Sequence, residues 1–199
     1  MATILVISSH YDDAEIGCCE TIRKHNEIGD SVIYAIIESD EHRTGNPKDR
    51  LTEQINAMIE IDLDPKQSLL TFKSIDPIED IIQKLDYYKP DVIFSPWIYD
   101  THQAHRRTSA IGQSVGRKRN VTTYFYSGGS TTDFNPNVFN LINFSFKENV
   151  LKCFKTQIEC GAINIDIIKA KEAYWGTLIT TKTPAFAEAF MARKVRYAF

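Results

Sequence analysis

Short runs of aliphatic and β-branched residues alternate along this chain with stretches whose apolar positions recur every three or four residues. Residues 3–8 read as a first strand and 14–28 as a first helix, closed by Gly29-Asp30; residues 31–37 form a second strand. Pro47 opens a helix to residue 61 with Leu51, Ile55, Met58 and Ile59 on one face. A short strand over 68–72 precedes a helix over 77–88 that turns Ile78, Ile81, Ile82 and Leu85 inward. Residues 92–95 and 121–126 read as strands flanking a helix over 104–116. The segment 127–136 breaks the pattern.

Residues 139–144 then alternate like a late edge strand, 147–160 and 166–178 make two amphipathic helices, and the aromatic-rich tail 183–199 folds back onto the body. Strands alternating with helices imply βαβ units. The expected fold is therefore α/β, a Rossmann-like three-layer sandwich with a mainly parallel central sheet. No repeat, low-complexity tract or linker divides the chain, so residues 1–199 are expected to form one domain.

Composition narrows the class. The chain has 199 residues, 43% of them hydrophobic and 25% charged, with a formal charge of -3. That balance gives no general pull toward nucleic acid or an anionic surface. The one dense basic stretch, 116–120, reads as a solvated helix C-terminus. No apolar run approaches the ~20 residues of a membrane span, and the opening Met-Ala-Thr-Ile-Leu-Val-Ile, with no basic region and too few residues, is not expected to act as a signal segment. Cys18 and Cys19 are adjacent and, with Cys153 and Cys160, suggest no disulfide framework, which fits a reducing cytoplasm. On a helix the adjacent pair point ~100° apart, so buried thiols are the expectation rather than metal ligands.

The chemistry gathers at two strand ends. The first strand runs into His10-Tyr11-Asp12-Asp13, and the strand over 92–95 is followed by Asp100-Thr101-His102-Gln103-Ala104-His105. Open α/β sheets place ligand sites at the carboxyl ends of their strands. His10 and Asp13 can reach one cation, and a third ligand can come from His102 or His105, a choice that spacing leaves open. Such a set suits zinc, and equally iron, manganese or nickel. Bound metal would lower the pKa of its water towards ~7. Asp12, between the two local ligands, could accept the proton and pass it to a leaving nitrogen. The remaining histidine could steady a developing oxyanion as imidazolium. Against this stand the roles of Asp12 and Asp13 as ordinary turn and cap residues. Glu15 reads as a first-turn helix residue and Arg50 as a helix-surface partner of Glu53 or Glu38. The loop 40–48 reads as a rim of the pocket, while His25 and His42 fall outside both clusters.

Residues 5–18, with His10-Tyr11-Asp12-Asp13 at their centre, resemble the Ala-His-Pro-Asp-Asp-Glu signature and following glycine of the LmbE/PIG-L deacetylases. Residues 100–106 resemble that family's later His-Pro-Asp-His motif, Arg50-Leu51-Thr52-Glu53-Gln54-Ile55-Asn56-Ala57 its Arg-x-x-Glu-x-x-x-Ala helix, and Ala187-Glu188-Ala189-Phe190 its Ala-Glu-x-Phe ending. The resemblance implies a zinc-dependent hydrolase that removes an N-acetyl group from an amino sugar or glycoconjugate. It makes His10, Asp13 and His105 the metal ligands, Asp12 the general base and acid, His102 the oxyanion stabiliser and Arg50 a substrate contact. Tyr11, Ala14 and Gln103-Ala104 depart from the pattern, and the last removes a carboxylate that could orient His102. Two other readings stay open, a non-catalytic Rossmann-like module holding a metal or nucleotide and an amidohydrolase for a non-sugar substrate. Aromatic residues from Tyr124 to Phe146 read as core rather than as a sugar-stacking wall. The sequence leaves open the sugar, the acyl group and whether copies form a homo-oligomer.

Overall fold

The computed structural model describes residues 1–40, 46–117 and 121–194, with the side chain of Lys194 excepted. The parts of the 40–48 loop, the 116–120 basic run and the 183–199 tail that fall at 41–45, 118–120 and 195–199 lie outside the described residues. Among the described residues seven strands form one mixed sheet in the order β3-β2-β1-β4-β5-β7-β6. They are β1 (Thr3–Ser8), β2 (Ser31–Ile36), β3 (Leu69–Thr71), β4 (Val92–Pro96), β5 (Thr122–Tyr126), β6 (Val138–Ile142) and β7 (Phe186–Lys194). The first five pair in parallel, while β7 runs antiparallel to both β5 and β6.

The helices are α1 (Asp13–Glu27), α2 (Pro47–Glu60), α3 (Pro65–Ser68), α4 (Ile78–Tyr87), α5 (Gln103–Ser114), α6 (Phe144–Leu151), α7 (Lys155–Glu159) and α8 (Ile165–Thr177). Strand alternation sends Ile4 and Val6 into a core with α1, α2 and α6, and Leu5 and Ile7 into a second core with Ile81 and Leu85 of α4 and Ile111 of α5. Helices thus cover both faces, as a buried parallel sheet requires. Among the described residues no helix is long and apolar enough to cross a membrane.

Three sequence expectations change. The tail is more than a cover: β7 is an interior strand between β5 and β6, leaving β6 at the edge as expected. The single helix expected over 147–160 is two. Residues 152–154 break it, because the Thr156 N–H that opens α7 donates to Glu53 Oε1 of α2 at 2.8 Å. The strand expected to reach residue 144 stops at Ile142, because the Asn143 side chain accepts from Ser145 N–H and starts α6.

α1 itself is interrupted at Cys18, whose φ of -157° and ψ of 16° are not helical. The Ile16 carbonyl accepts from the buried Lys147 Nζ at 2.9 Å, and the Glu20 N–H donates to Glu188 Oε1 at 3.0 Å. Two groups that would close one helical hydrogen bond are taken by an ion pair inserted between them. Lys147 also donates to Glu172 and Glu188, and Glu188 further accepts from Thr21 N–H at 2.8 Å. The first turn of α1 is thereby set apart from the rest of the helix.

Candidate metal centre

β1 and β4 are neighbours, and the chain runs outward from β1 to β3 before returning to β4 on the other side. The carboxyl ends of β1 and β4 therefore frame the point where strand order reverses. β1 arrives buried from Ile4 onward, and Ile37 and Glu38 amides continue its pairing by donating to Ser8 and Ser9 carbonyls at 2.9 and 2.8 Å. The turn then closes on itself, with His10 N–H donating to Asp13 Oδ2 at 2.8 Å. From behind, the ring of Tyr126 packs on Gly17, where a Cβ would lie 2.3 Å from its Cδ2, and its hydroxyl donates to the Ile7 carbonyl at 2.9 Å. Asp12 occupies the left-handed region at φ 99° without making a cap hydrogen bond. A non-glycine residue held there stores strain of about 1 kcal/mol, a pattern concentrated at functional sites.

From the second strand end, the His102 side chain caps α5. Its Nδ1 accepts the Ala104 N–H at 3.1 Å, and His105 follows one turn into the helix. Ligand atoms of His10, Asp13 and His105 all lie within 4.8 Å of one another, and all three residues are buried. His105 Nε2 is 3.2 Å from Asp13 Oδ1, and His10 Nδ1 is 3.5 Å from Asp13 Oδ2. The ring of His102 stands beside both imidazoles, with centroids 5.1 Å from His10 and 4.7 Å from His105. Two imidazoles and one carboxylate converging in a buried spot fit the donor set of a catalytic zinc, and of iron, manganese or nickel equally. The structure therefore brings together five of the six residues read from the sequence around one point, and the sixth, Arg50, adjoins them.

Arg50 differs from its expected surface role. It is 3% exposed, donates to the Tyr11 carbonyl at 2.9 Å and stands 3.6 Å from Asp12 Oδ2, whereas Glu38 pairs with Arg107. Burial and the adjacent Asp13 carboxylate push Asp12 well above the ordinary carboxylate range, with Arg50 acting against them. Burial also opposes charge on Asp13, but His105 and His10 outweigh it and hold that carboxyl well below the ordinary range. Two adjacent aspartates are thus driven apart, one toward carrying a proton and one toward staying ionised.

Sequence reasoning missed Asp100 as a working residue. Its carboxylate is buried and accepts from His102 N–H at 2.8 Å, from Ser130 Oγ at 2.6 Å and from Thr131 Oγ1, and it lies 3.3 Å from His105 Nδ1. A proton on His105 Nδ1 directed at Asp100 leaves Nε2 to face Asp13 and His10. The signal stands in the second strand-end cluster itself, but motif comparison directs attention to the carboxylate absent at Ala104. His102 Nδ1 accepts an amide proton, and burial followed by His105 and His10 lowers the affinity of the ring for a second proton, so both favour a neutral ring with its proton on Nε2.

Glu15 does lie in the first turn, but wholly buried, where Gln54 Nε2 donates to it at 2.8 Å. Cys18 and Cys19 are buried free thiols, as expected. The site opens into a cavity of about 330 Å³ whose walls include Ile16, Gly129, Ser130, Gln157 and Ala162. None of the aromatic residues from Tyr124 to Phe146 lines it; Tyr124, Tyr126 and Phe144 pack in the core instead.

No family model matches the chain. Solved structures share its fold across nearly the whole length. The conserved protein TT1542 from Thermus thermophilus superposes with a TM-score of 0.81 at 23% identity, covering 100% of this chain and 98% of that one. A 4-carboxy-2-hydroxymuconate hydratase from Pseudomonas putida gives 0.79 at 16% identity, over 100% and 99%. The N,N'-diacetylchitobiose deacetylase of Pyrococcus horikoshii gives 0.72 at 18% identity, over 97% and 84%. The fold of this chain is thus one that carries both deacetylation and hydration in other proteins.

Proposed function

We propose that this chain is a divalent-metal-dependent N-deacetylase that acts on an N-acetylated amino sugar or small sugar conjugate. One observation carries the reading: His10, Asp13 and His105 converge in a buried pocket beside Asp12, a carboxyl outside that ligand set and poised to hold a proton. The motif resemblance and the shared fold of the chitobiose deacetylase support the same activity. A divalent ion held by those three side chains, zinc being our assignment, would supply an activated water and positive charge for the amide carbonyl.

The chain's own residues supply the rest. Asp12, in its ionised form at the wall of the cavity, takes the proton of the attacking water and returns it to the departing amine. Arg50 acts against the rise in Asp12 proton affinity and, through the Tyr11 carbonyl, fixes the turn that aims Asp12. His102, oriented by the Ala104 amide, presents Nε2–H as a neutral donor to the carbonyl oxygen as charge builds there. Acetate and a free amino sugar are the products.

The hydratase of the same fold gives a second reading, addition of water to an activated double bond. Acetate release separates the two. Zinc-loaded wild type should liberate acetate from N-acetyl-D-glucosamine or N,N'-diacetylchitobiose, and Asp12→Asn should lose at least ~100-fold in kcat with zinc stoichiometry unchanged. Undiminished turnover by Asp12→Asn would remove the base assignment, and no acetate from either sugar would remove the activity.

A further inference from the structure

A second cavity, of about 300 Å³, lies between the C-terminal half of α1 and the sheet and shares no lining residue with the metal centre. The neighbouring strands β4, β5 and β7 set Phe94, Tyr124 and Phe190 side by side along it. The Phe94 ring centroid is 5.4 Å from that of Tyr124 and 5.3 Å from that of Phe190. From α1 and its C-terminal end come Lys24 and Ile28, one turn apart, and Ile28 is 75% exposed. Charge on this lining has one sign. Among the described residues that line the cavity none is Asp or Glu, and His25 Nδ1 is 2.8 Å from Asp30 Oδ2. Lys24 Nζ donates to Asn140 Oδ1 at 3.0 Å and to the Leu141 carbonyl, and no carboxylate among the described residues pairs with it. Two neutral acceptors fix the place of the ammonium without cancelling its charge, and one of its three N–H groups remains.

We propose that this cavity is a binding site for a small amphipathic monocarboxylate, its carboxylate against Lys24 Nζ and its apolar body on the aromatic rings. An apolar cavity of roughly 150 Å³ admits benzene, so twice that space holds one ring, or an alkyl chain of similar bulk, with a carboxylate-bearing arm. The other polar side chains of the lining answer one another. Asn140 Nδ2 donates to Thr21 Oγ1 at 2.8 Å, and Thr21 Oγ1 donates to Glu188 Oε2 at 2.5 Å. A sugar, which needs many hydroxyl partners, finds few here, and a purely apolar ligand leaves the ammonium without an anion. The site is separate from the metal centre, and its occupancy does not depend on the deacetylase reading.

The test titrates hexanoate and 3-phenylpropionate, each beside its alcohol (1-hexanol and 3-phenyl-1-propanol), calorimetrically into full-length protein with and without zinc. A hydrogen bond to a charged group corresponds to about tenfold or more. At least one acid should therefore bind wild type about tenfold more tightly than its alcohol, alike in the two metal states, and the preferred acid names the body as alkyl or aromatic. Lys24→Met, which keeps the unbranched stem, should weaken that acid about tenfold and leave the alcohol within about twofold. Lys24→Gln gives the same comparison should the methionine variant lose its native circular dichroism. Val138→Phe, which fills the cavity from β6, should weaken acid and alcohol alike by at least about tenfold. Acids that bind no more tightly than their alcohols, or equal weakening of both by Lys24→Met, overturn the role of Lys24 and with it the proposal. Acid binding that requires zinc places the carboxylate on the metal and overturns it too. So does the absence of binding at millimolar probe, and sedimentation then shows whether a second copy covers this face, as self-association abolished by Val138→Phe.

Discussion

Replacing Asp100 by asparagine isolates the carboxylate behind His105. Burial works against its charge, yet hydrogen bonds from His105, Ser130 and Thr131 hold it well below the ordinary carboxylate range. It is therefore ionised at any working pH. His105 is caught between two anions: burial disfavours its charge, but Asp13 and Asp100 overcome this and push it up to about 10. A metal must displace that proton from Nε2 while Asp100 keeps the one on Nδ1. Wild-type zinc affinity should consequently rise about tenfold per pH unit as pH approaches 10 from below. In Asp100→Asn the hydroxyls of Ser130 and Thr131 can rotate, but the ring loses its anionic partner and the basicity that partner lends. Losses at such positions run about 10- to 100-fold in metal affinity, or ~1.4–2.8 kcal/mol. Competition against a chromophoric chelator measures this directly, and ring nitrogen shifts of the metal-free protein report the His105 tautomer. A zinc affinity within about twofold of wild type, in a variant with unchanged circular dichroism, would refute the orienting role.

Three further outcomes concern the scaffold behind the site. Burial, opposed by the Gln54 hydrogen bond, pushes Glu15 from its ordinary 4.5 up to about 7, so the folded state binds that proton more tightly than the unfolded chain. Its stabilisation is present below the unfolded value and is lost as pH rises through 7. Glu15→Gln should therefore gain up to ~3 kcal/mol over wild type at pH above 7, with the gap closing in acid. Urea midpoints across that range decide it, and a pH-independent gap would count against it. Gly17→Ala drives a methyl to within 2.3 Å of Tyr126 Cδ2 and should cost ~1–3 kcal/mol in urea unfolding and weaken zinc binding; full retention of both would contradict the packing account. Lys147→Met leaves Glu172 and Glu188 without their shared cation and should lower stability by ~3–5 kcal/mol, an outcome that an unshifted thermal midpoint would exclude.

What the sequence discloses and what it hides follow from distance along the chain. The strand ends are legible because each is local: an apolar run, then His and Asp within a few residues. The alternation of helices and strands sets the two ends side by side through the ordinary rules of parallel sheets. Spacing cannot choose between His102 and His105, since the choice depends on where α5 begins. With His102 spent as the cap, His105 is the residue turned toward Asp13. The break between α6 and α7 is hidden because apolar periodicity continues through Val150, Leu151, Phe154 and Ile158. The cause sits in α2, at Glu53.

The Ala187-Glu188-Ala189-Phe190 segment makes the same point from the far end of the chain. By composition it is a short alternating strand, with Phe190 on the α1 side and the two alanines on the other. Its glutamate is buried only because Glu20 and Thr21 amides and Lys147 converge on it from elements 41 to 168 residues away. A helix that ran unbroken from Asp13 would need its own Ile16–Glu20 hydrogen bond and would leave Lys147 and Glu188 without those partners. The interruption at Cys18 is therefore bound to the buried ion pair, and the ion pair to β7 lying inside the sheet. The turn that carries Asp12 and Asp13 is short, backed by Tyr126 and detached from the helix behind it, so its strained geometry is set by residues that no local reading of His10 to Gly17 contains.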